Sequence, residues 1–334
     1  MKHITPGRLF AAGLVLLAAV LAAFVLPSSQ YIFLPDKAHP VRPLVVVPGG
    51  HDPAQGGLYF VDVVVRKASL LERLFGGLHK GADLYPASAV NPPGVNDAQR
   101  RQIDLQDMQQ SQQVAAAVAL KAAGYKVALT PIGAQVEEVG PGEPAVGHLE
   151  PDDVITAVNG KPVHSPEDVF EVMQPHHPGD VVRFTFTRDG KTQMASIKTI
   201  NAPGPSNRAI VGVILTPALD IHLPKKVSID AGGVGGPSAG LAFALEVYQQ
   251  LGHDIVHGHK IAVTGEIDAD GSVQPIGGVK QKTYGAREAG VDAFLVPAGD
   301  NARDARKYAG HLKIIPVKSF QQALHALATA FPSS

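Results

Sequence analysis

The chain has 334 residues, too many for one small core and enough for an apolar anchor and two modest domains. Lys and Arg total 29 against 30 Asp and Glu, a net charge of -1, so no overall positive field directs the chain to a polynucleotide. Charged residues are 18% and hydrophobic ones 45%, which excludes disorder over most of the length, and the absence of cysteine excludes disulfides, thiolate metal sites and a cysteine nucleophile together.

Residues 9–26, LFAAGLVLLAAVLAAFVL, form eighteen consecutive positions without charge. As a helix they reach roughly 27 Å, near the hydrocarbon thickness of about 30 Å. Lys2 and Arg8 precede the run, and the next basic residues are Lys37 and Arg42. The positive-inside rule then predicts a single-pass membrane protein with residues 1–8 as a cytoplasmic tail and everything after the helix extracytoplasmic. A cleaved secretory signal is the competing reading, disfavoured by the long apolar run and the lack of a small-x-small site after it.

Residues 27–41 carry Pro27, Pro35 and Pro40 without a hydrophobic period, which predicts a linker. From residue 42, PLVVVPGG and GLYFVDVVVRKAS predict two strands around a Gly-rich turn, the second alternating at Tyr59, Val61, Val63 and Val65. NPPGVNDA breaks the chain, and residues 102–124 then show a helical period at Leu105, Met108, Val114, Ala117, Val118 and Ala122, with Gly124 as C-cap.

Residues 125–200 form a β-rich module with an Asn159-Gly160 turn, a helix opened by Ser165 and Pro166, and a hairpin at Asp189-Gly190. HLEPDDVITAVNGKPVHSPEDV followed by HHPGDVVRFTFTRDG resembles a bacterial-type PDZ domain. The resemblance implies a partner peptide, bound by its C-terminus or as a strand added to a sheet edge. Asp152 stands where many such domains have Gly, and no clear Gly-Φ-Gly-Φ loop is present, so a spacer that binds no peptide stays open.

The chemistry concentrates after residue 205. In SIDAGGVGGPSAGLAFALEVYQQ, glycines allow close backbone approach, Pro237 suits a first helical turn, and Ser238 falls at a helix N-terminus, where N–H groups and the dipole can stabilise an oxyanion. A phosphate loop or a plain serine cap gives similar text. Further on, IAVTGEIDADGSVQPIGGVKQKTYGAREAGVDAFLVP reads as strand, hairpin, strand, a helix opening at Gly277-Gly278, and strand. GGPSAG, TGEI, GxVxPIGGxKxK and AGxxxFLVP, in this order over about residues 208–328, resemble the proteolytic domain of Lon-type serine proteases. With the apolar run and the PDZ-like module, the chain looks like a membrane-anchored PDZ-containing Lon-type protease without an ATPase domain.

That resemblance implies a Ser-Lys dyad with Ser238 as nucleophile and Lys280 as general base, Gly236 and Pro237 shaping the serine turn, Thr264 near the lysine, and Asp230 as an acidic neighbour. The family more often places an acid directly before Gly-Pro-Ser, where this chain has Gly235, and a helical wheel on Val279, Thr283 and Ala286 sets Lys282 nearer the inward face than Lys280. Lys282 is thus the alternative base.

The fold expected is α+β: a Lon-type proteolytic domain (residues 205–334) joined by residues 42–124, with an inserted β-rich PDZ-like domain and one transmembrane helix. The expected activity is ATP-independent endopeptidase cleavage of exported or membrane-associated proteins, with no cofactor and no metal. Homologous domains form rings, so the resemblance also implies a homo-oligomer. A catalytically inactive PDZ scaffold and a GHMP-type kinase are the alternatives. No Gly-x4-Gly-Lys-Ser/Thr loop occurs, and His253, His257 and His259 lack His-Glu-x-x-His spacing.

Overall fold

The computed structural model of the chain describes residues 6–51, 53, 55–91, 96–203 and 208–332. Its principal elements in chain order begin with α1 (Pro6–Val25), β1 (Pro27–Pro40), β2 (Gly57–Ser69), α2 (Leu70–Leu74), β3 (Asp83–Pro86) and α3 (Asp97–Ala122). Then come β4 (Ala128–Val139), β5 (Val154–Val158), α4 (Pro166–Met173), β6 (Val181–Arg188), β7 (Lys191–Lys198) and β8 (Val213–His222). The chain closes with α5 (Gly240–Gln250), β9 (Lys260–Val263), α6 (Val279–Glu288), β10 (Ala293–Pro297), α7 (Asp300–Tyr308), β11 (Lys313–Val317) and α8 (Phe320–Ala330). Contacts divide these into two units, Met1–Gly124 with Lys225–Ser334, and Tyr125–Pro224.

The membrane expectation is corrected: among the described residues, no helix is long and apolar enough to cross a membrane. A transmembrane helix, single-pass topology with an extracytoplasmic catalytic part, and a membrane partner therefore lose their support. The apolar run belongs to α1, which ends at Val25 and gives way directly to β1, while the Leu70 N–H donates to the Leu26 carbonyl at 3.0 Å and ties the junction to the start of α2. The linker expectation is corrected as well. The segment expected as linker is β1, paired antiparallel with both β2 and β3. Its prolines are tolerated because Pro27 and Pro40 lie at the strand ends and Pro35 lies at a bulge. Of the proposed tail, residues 1–5 lie outside the described residues.

The first unit is built on a six-stranded sheet in the order β11-β10-β9-β2-β1-β3, parallel from β11 to β2 and antiparallel beyond. Strand alternation sorts its side chains. Leu58, Phe60, Ile261, Val263 and Leu295 pack with Leu241, Phe243 and Leu245 of α5, with Ala115 and Ala119 of α3, and with Leu327 of α8. The intervening Val61, Ala262, Phe294 and Val296 pack with Val279 and Ala286 of α6 and Ala302 and Ala305 of α7. β10 is therefore buried along its whole length and reads as an unbroken apolar run. Each fully buried Phe or Leu in these clusters contributes roughly 1.5–3 kcal/mol.

The second unit carries a sheet in the order β8-β4-β5-β6-β7, with Val136, Ile155, Phe184, Phe186 and Ile197 packed against Val169 of α4. Asn159 and Gly160 have φ of 51° and 78°, and Asp189 and Gly190 have 50° and 71°, the paired positive values of two-residue hairpin turns. The boundary differs from the sequence reading at one place. β8 pairs with β4 along its whole length and leaves residues 208–224 in this unit rather than with the domain that follows.

Candidate active site

Ser238 is delivered by a short tight path. Gly236 has φ 81°, Pro237–Ala239 forms one 3-10 turn, and α5 follows at Gly240. Three contacts from α3 hold this path: Asp104 accepts from the Gly236 N–H at 2.6 Å, Arg101 Nη2 donates to the Gly233 carbonyl at 2.6 Å, and Ser111 Oγ donates to the Pro237 carbonyl at 3.0 Å. Gly240 is required where it stands, since a Cβ there would lie 2.6 Å from Ser111 Oγ. On the other side, the Ser238 carbonyl accepts from the Gly265 N–H at 2.9 Å and from Thr264 Oγ1 at 3.2 Å.

Lys282 meets Ser238 from α6. Its Nζ donates to Ser238 Oγ at 2.6 Å and to Thr264 Oγ1 at 3.2 Å. Lys282 is 3% exposed and Thr264 is 0% exposed, so the amine sits in a dry site. Burial pushes its pKa down to about 8, against an opposing pull from the Asp62 charge. At pH 7 about a tenth of such lysines are neutral, against fewer than about one in a thousand at the ordinary pKa.

The base assigned to Lys280 is not the lysine that the fold brings to Ser238. Lys280 Nζ donates instead to Asp83 Oδ1 at 2.8 Å and to the Ala82 carbonyl at 3.1 Å. Burial pulls its pKa down, but the hydrogen bond and charge of Asp83 outweigh this and hold it above its ordinary value. The cause is helical phase. Gly278, at φ 69°, caps α6 so that the helix begins at once with Val279, and Val279, Gln281, Lys282, Thr283, Gly285 and Ala286 form its buried side, with Lys280 outside it. Asp230 is likewise apart from the pair. It is exposed, its Oδ1 accepts from the Gly232 N–H at 2.8 Å, and it does not line the cleft beside Ser238. Gly236 lines that cleft, and Pro237 forms the first turn before Ser238.

A cleft of about 470 Å³ opens on Ser238 and Lys282, walled by Gly233 to Gly236, by Arg101 and Asp104 of α3, and by Phe33, Asp62 and Val63 of β1 and β2. Sequence reasoning missed Asp62, although a single carboxylate inside the apolar text GLYFVDVVV was its signal. It also missed Ser111, Arg101 and Asp104, whose role depends on a helix far away in the chain. Among the described residues, the one group of His and carboxylates close enough to share a cation is Asp36, His39 and Asp62, with ligand atoms within 4.8 Å of one another. His253 stacks on Tyr248 at 4.1 Å between ring centroids, and His259 lies 3.3 Å from Asp292.

Residues 208–330 match the family model of the Lon protease (S16) C-terminal proteolytic domain, and residues 102–199 match that of a PDZ domain. Lon protease 2 of Bacillus subtilis is 35% identical over 116 residues, covering 34% of this chain and 20% of that protein. Lon protease 2 of Thermus thermophilus is 44% identical over 80 residues, covering 23% of this chain and 9% of that protein. The chain thus spans a fifth or less of the length of these relatives. The solved PDZ domain of an SdrC-like protein from Listeria innocua is 26% identical and covers 25% of this chain and 92% of that one, with a TM-score of 0.24. In place of the expected membrane-anchored arrangement, the chain has an α+β unit whose C-terminal stretch is similar to the Lon-type proteolytic domain, with an inserted β-rich unit similar to a PDZ domain. The partial matches are to the proteolytic parts of Lon proteases.

Proposed function

We propose that the chain is an endopeptidase that works without ATP through Ser238 as nucleophile and Lys282 as general base. The observation that carries this reading is the 2.6 Å contact between Ser238 Oγ and a buried lysine amine whose pKa lies near 8. Neutral Lys282 takes the Ser238 proton as Oγ attacks a peptide carbonyl carbon. The oxyanion forms beside the backbone N–H groups that follow Pro237 in the 237–240 turn, where the helix end favours negative charge. Lys282 then returns the proton to the departing amine, leaving an ester on Ser238 that water hydrolyses with the same lysine as base. Thr264 holds the amine in line. The Gly-lined cleft suits an extended peptide backbone, and this chain has no phosphate-loop motif to couple the step to ATP.

The PDZ-like unit supplies a second site for peptide, and this part of the reading rests on an edge. β8 ends its sheet, and beside it a groove of about 200 Å³ runs along α4, lined by Phe170, Met173, Ile210 and Leu215. An added peptide strand would pair with β8 and set alternate side chains into that groove.

The test is casein cleavage by the full chain without ATP, alongside Ser238→Ala, Lys282→Ala and Lys280→Ala. We expect the first two to lose activity by about a thousandfold or more and the third to retain it. Cleavage that survives Ser238→Ala would overturn the mechanism.

A further inference from the structure

β1 and β2 do not pair evenly beside the dyad. Pro35 lies opposite Val63 and Ala38 lies opposite Val61, so Asp36 and Lys37 together face the one residue Asp62. This is a bulge, the device by which a strand re-aims a side chain next to a site. It is pinned from α6: a Cβ on Gly285, one turn beyond Lys282, would fall 2.0 Å from the Asp36 carbonyl oxygen and 2.9 Å from Val61 Cγ1. The bulge and the lysine helix are therefore in fixed register.

The result is a small cluster of charge at the cleft. His39 Nε2 lies 3.4 Å from Asp36 Oδ2 and 3.7 Å from Asp62 Oδ1, with its ring stacked on Phe60 at 5.3 Å. Asp62 Oδ1 is shut off from solvent and accepts no hydrogen bond. Asp62 lines the same cleft as Lys282, with Arg66, Arg101 and Asp104 farther along its wall, and the Asp62 charge opposes the fall in the Lys282 pKa. Of the charges on and around α6, Lys280 is held by Asp83 of β3, Arg287 by the Tyr308 carbonyl, Asp300 by Arg303 and Asp304 by Lys307 of α7, while Glu288 at the far end of α6 is exposed. On β2, Arg66 pairs with Glu72, and Lys37 of the bulge is exposed.

We propose that Asp62, set in place by the bulge and backed by Asp36 and His39, is a positioning residue for Lys282 that stabilises the ammonium formed when the lysine accepts the Ser238 proton. The inference rests on the Ser238–Lys282 reading above. A carboxylate near a buried amine has two effects that separate cleanly. It delays loss of the proton, so the free base appears at higher pH, and it lowers the energy of the ion pair reached as Oγ attacks. Burial, the adjacent Asp36 charge and a hydrogen bond with Asp36 raise the pKa of Asp62, and the nearby His39 ring and the Lys282 charge pull it back.

The experiment uses the full chain as wild type, Asp62→Asn and Asp62→Glu, with the pH profile of peptide cleavage read beside the titration of Lys282 by NMR of ¹³C-labelled lysine, assigned with Lys282→Arg. Asp62→Asn should move the acidic limb of kcat/KM and the NMR midpoint of Lys282 down together by about half a pH unit or more. It should also lower the plateau kcat by roughly tenfold with KM unchanged. Asp62→Glu, which restores the charge, should return both midpoints toward wild type. A folded Asp62→Asn protein with an unmoved Lys282 midpoint overturns the inference. Should that variant fail to fold, Asp62→Ser carries the same expectation. Failure of the dyad reading is distinct: cleavage would then survive Ser238→Ala, while the NMR midpoint would still report on Asp62.

Discussion

A lysine that is nearly free of solvent and titrates near 8 is a source of instability as well as of base. In the unfolded chain its pKa returns to about 10.4, so between about pH 8 and pH 10.4 the unfolded state binds more protons than the folded one and stability rises with pH. Below that window the folded state holds a buried charge at a cost of about 3 kcal/mol, by the same linkage. Lys282→Met, similar in length and uncharged, should therefore abolish cleavage yet raise stability at pH 7 by up to about 3 kcal/mol, and should remove the rise above pH 8. Urea denaturation of both proteins at pH 7 and pH 10 measures this, and a variant less stable than wild type at pH 7 would refute it. Thr264→Val keeps the shape of the site but removes the oxygen that accepts from Lys282 at 3.2 Å, and should lower kcat by about ten- to a hundredfold with little change in KM. Steady-state kinetics at saturating peptide checks it. At this scale the turn that carries Ser238 was legible, because a Gly-rich stretch, Pro237 and an apolar helix mark one position. The approach of Lys282 to that turn was legible only in helical phase, since the buried residues 279, 281, 282, 283, 285 and 286 leave Lys280 and Tyr284 on the other side. The resemblance pointed to Lys280, which the same periodicity sets on the opposite face.

Strand β1 shows where the sequence text fails at the level of an element. Its fourteen residues, PSSQYIFLPDKAHP, hold prolines, an Asp and a Lys, and they resemble a stalk because the bulge at Asp36 and Lys37 breaks the alternation that would mark a strand. Tertiary pairing on both sides decides the matter, and no local property records it. The apolar run before it shows the converse, since hydrophobicity and length alone suggested a span that the described residues do not provide. The close fit of β1 under α6 can be tested at Gly285. Gly285→Ala places a methyl group against the backbone at Asp36, which a flexible side chain could avoid but a strand bulge cannot. Stability should fall by about 1–3 kcal/mol, and cleavage should fall with it because the collision displaces the helix that carries Lys282. Thermal unfolding with an activity assay below the transition follows both, and an Ala variant with the wild-type Tm would show that the bulge yields.

The larger unit is assembled from two stretches of chain separated by a complete domain. β9, β10 and β11 come from the C-terminal stretch, but the sheet continues into β2, β1 and β3, and Leu58, Phe60, Ala115 and Ala119 of the N-terminal stretch fill the core around α5. That insertion was legible, because GLYFVDVVV had no other sheet to complete. The exit from the inserted domain was not, because the strand text of VGVILTPALDIH fits either sheet and its ladder with β4 is long-range. Residues 225–334 expressed alone would expose the β9 edge that normally pairs in parallel with β2, together with the apolar face of α5. Such a fragment should be unfolded or aggregated. Residues 125–224 close their own sheet over their own core and should fold alone with a cooperative transition. The chain has no Trp, so far-UV circular dichroism under urea is the suitable probe. Co-expression of residues 26–124 with residues 225–334 should restore soluble protein, since the β2–β9 ladder and the α3 contacts to the serine turn can then form between the pieces. A cooperative transition in residues 225–334 alone would show that the C-terminal stretch carries a sufficient core and that the N-terminal strands are an addition to it.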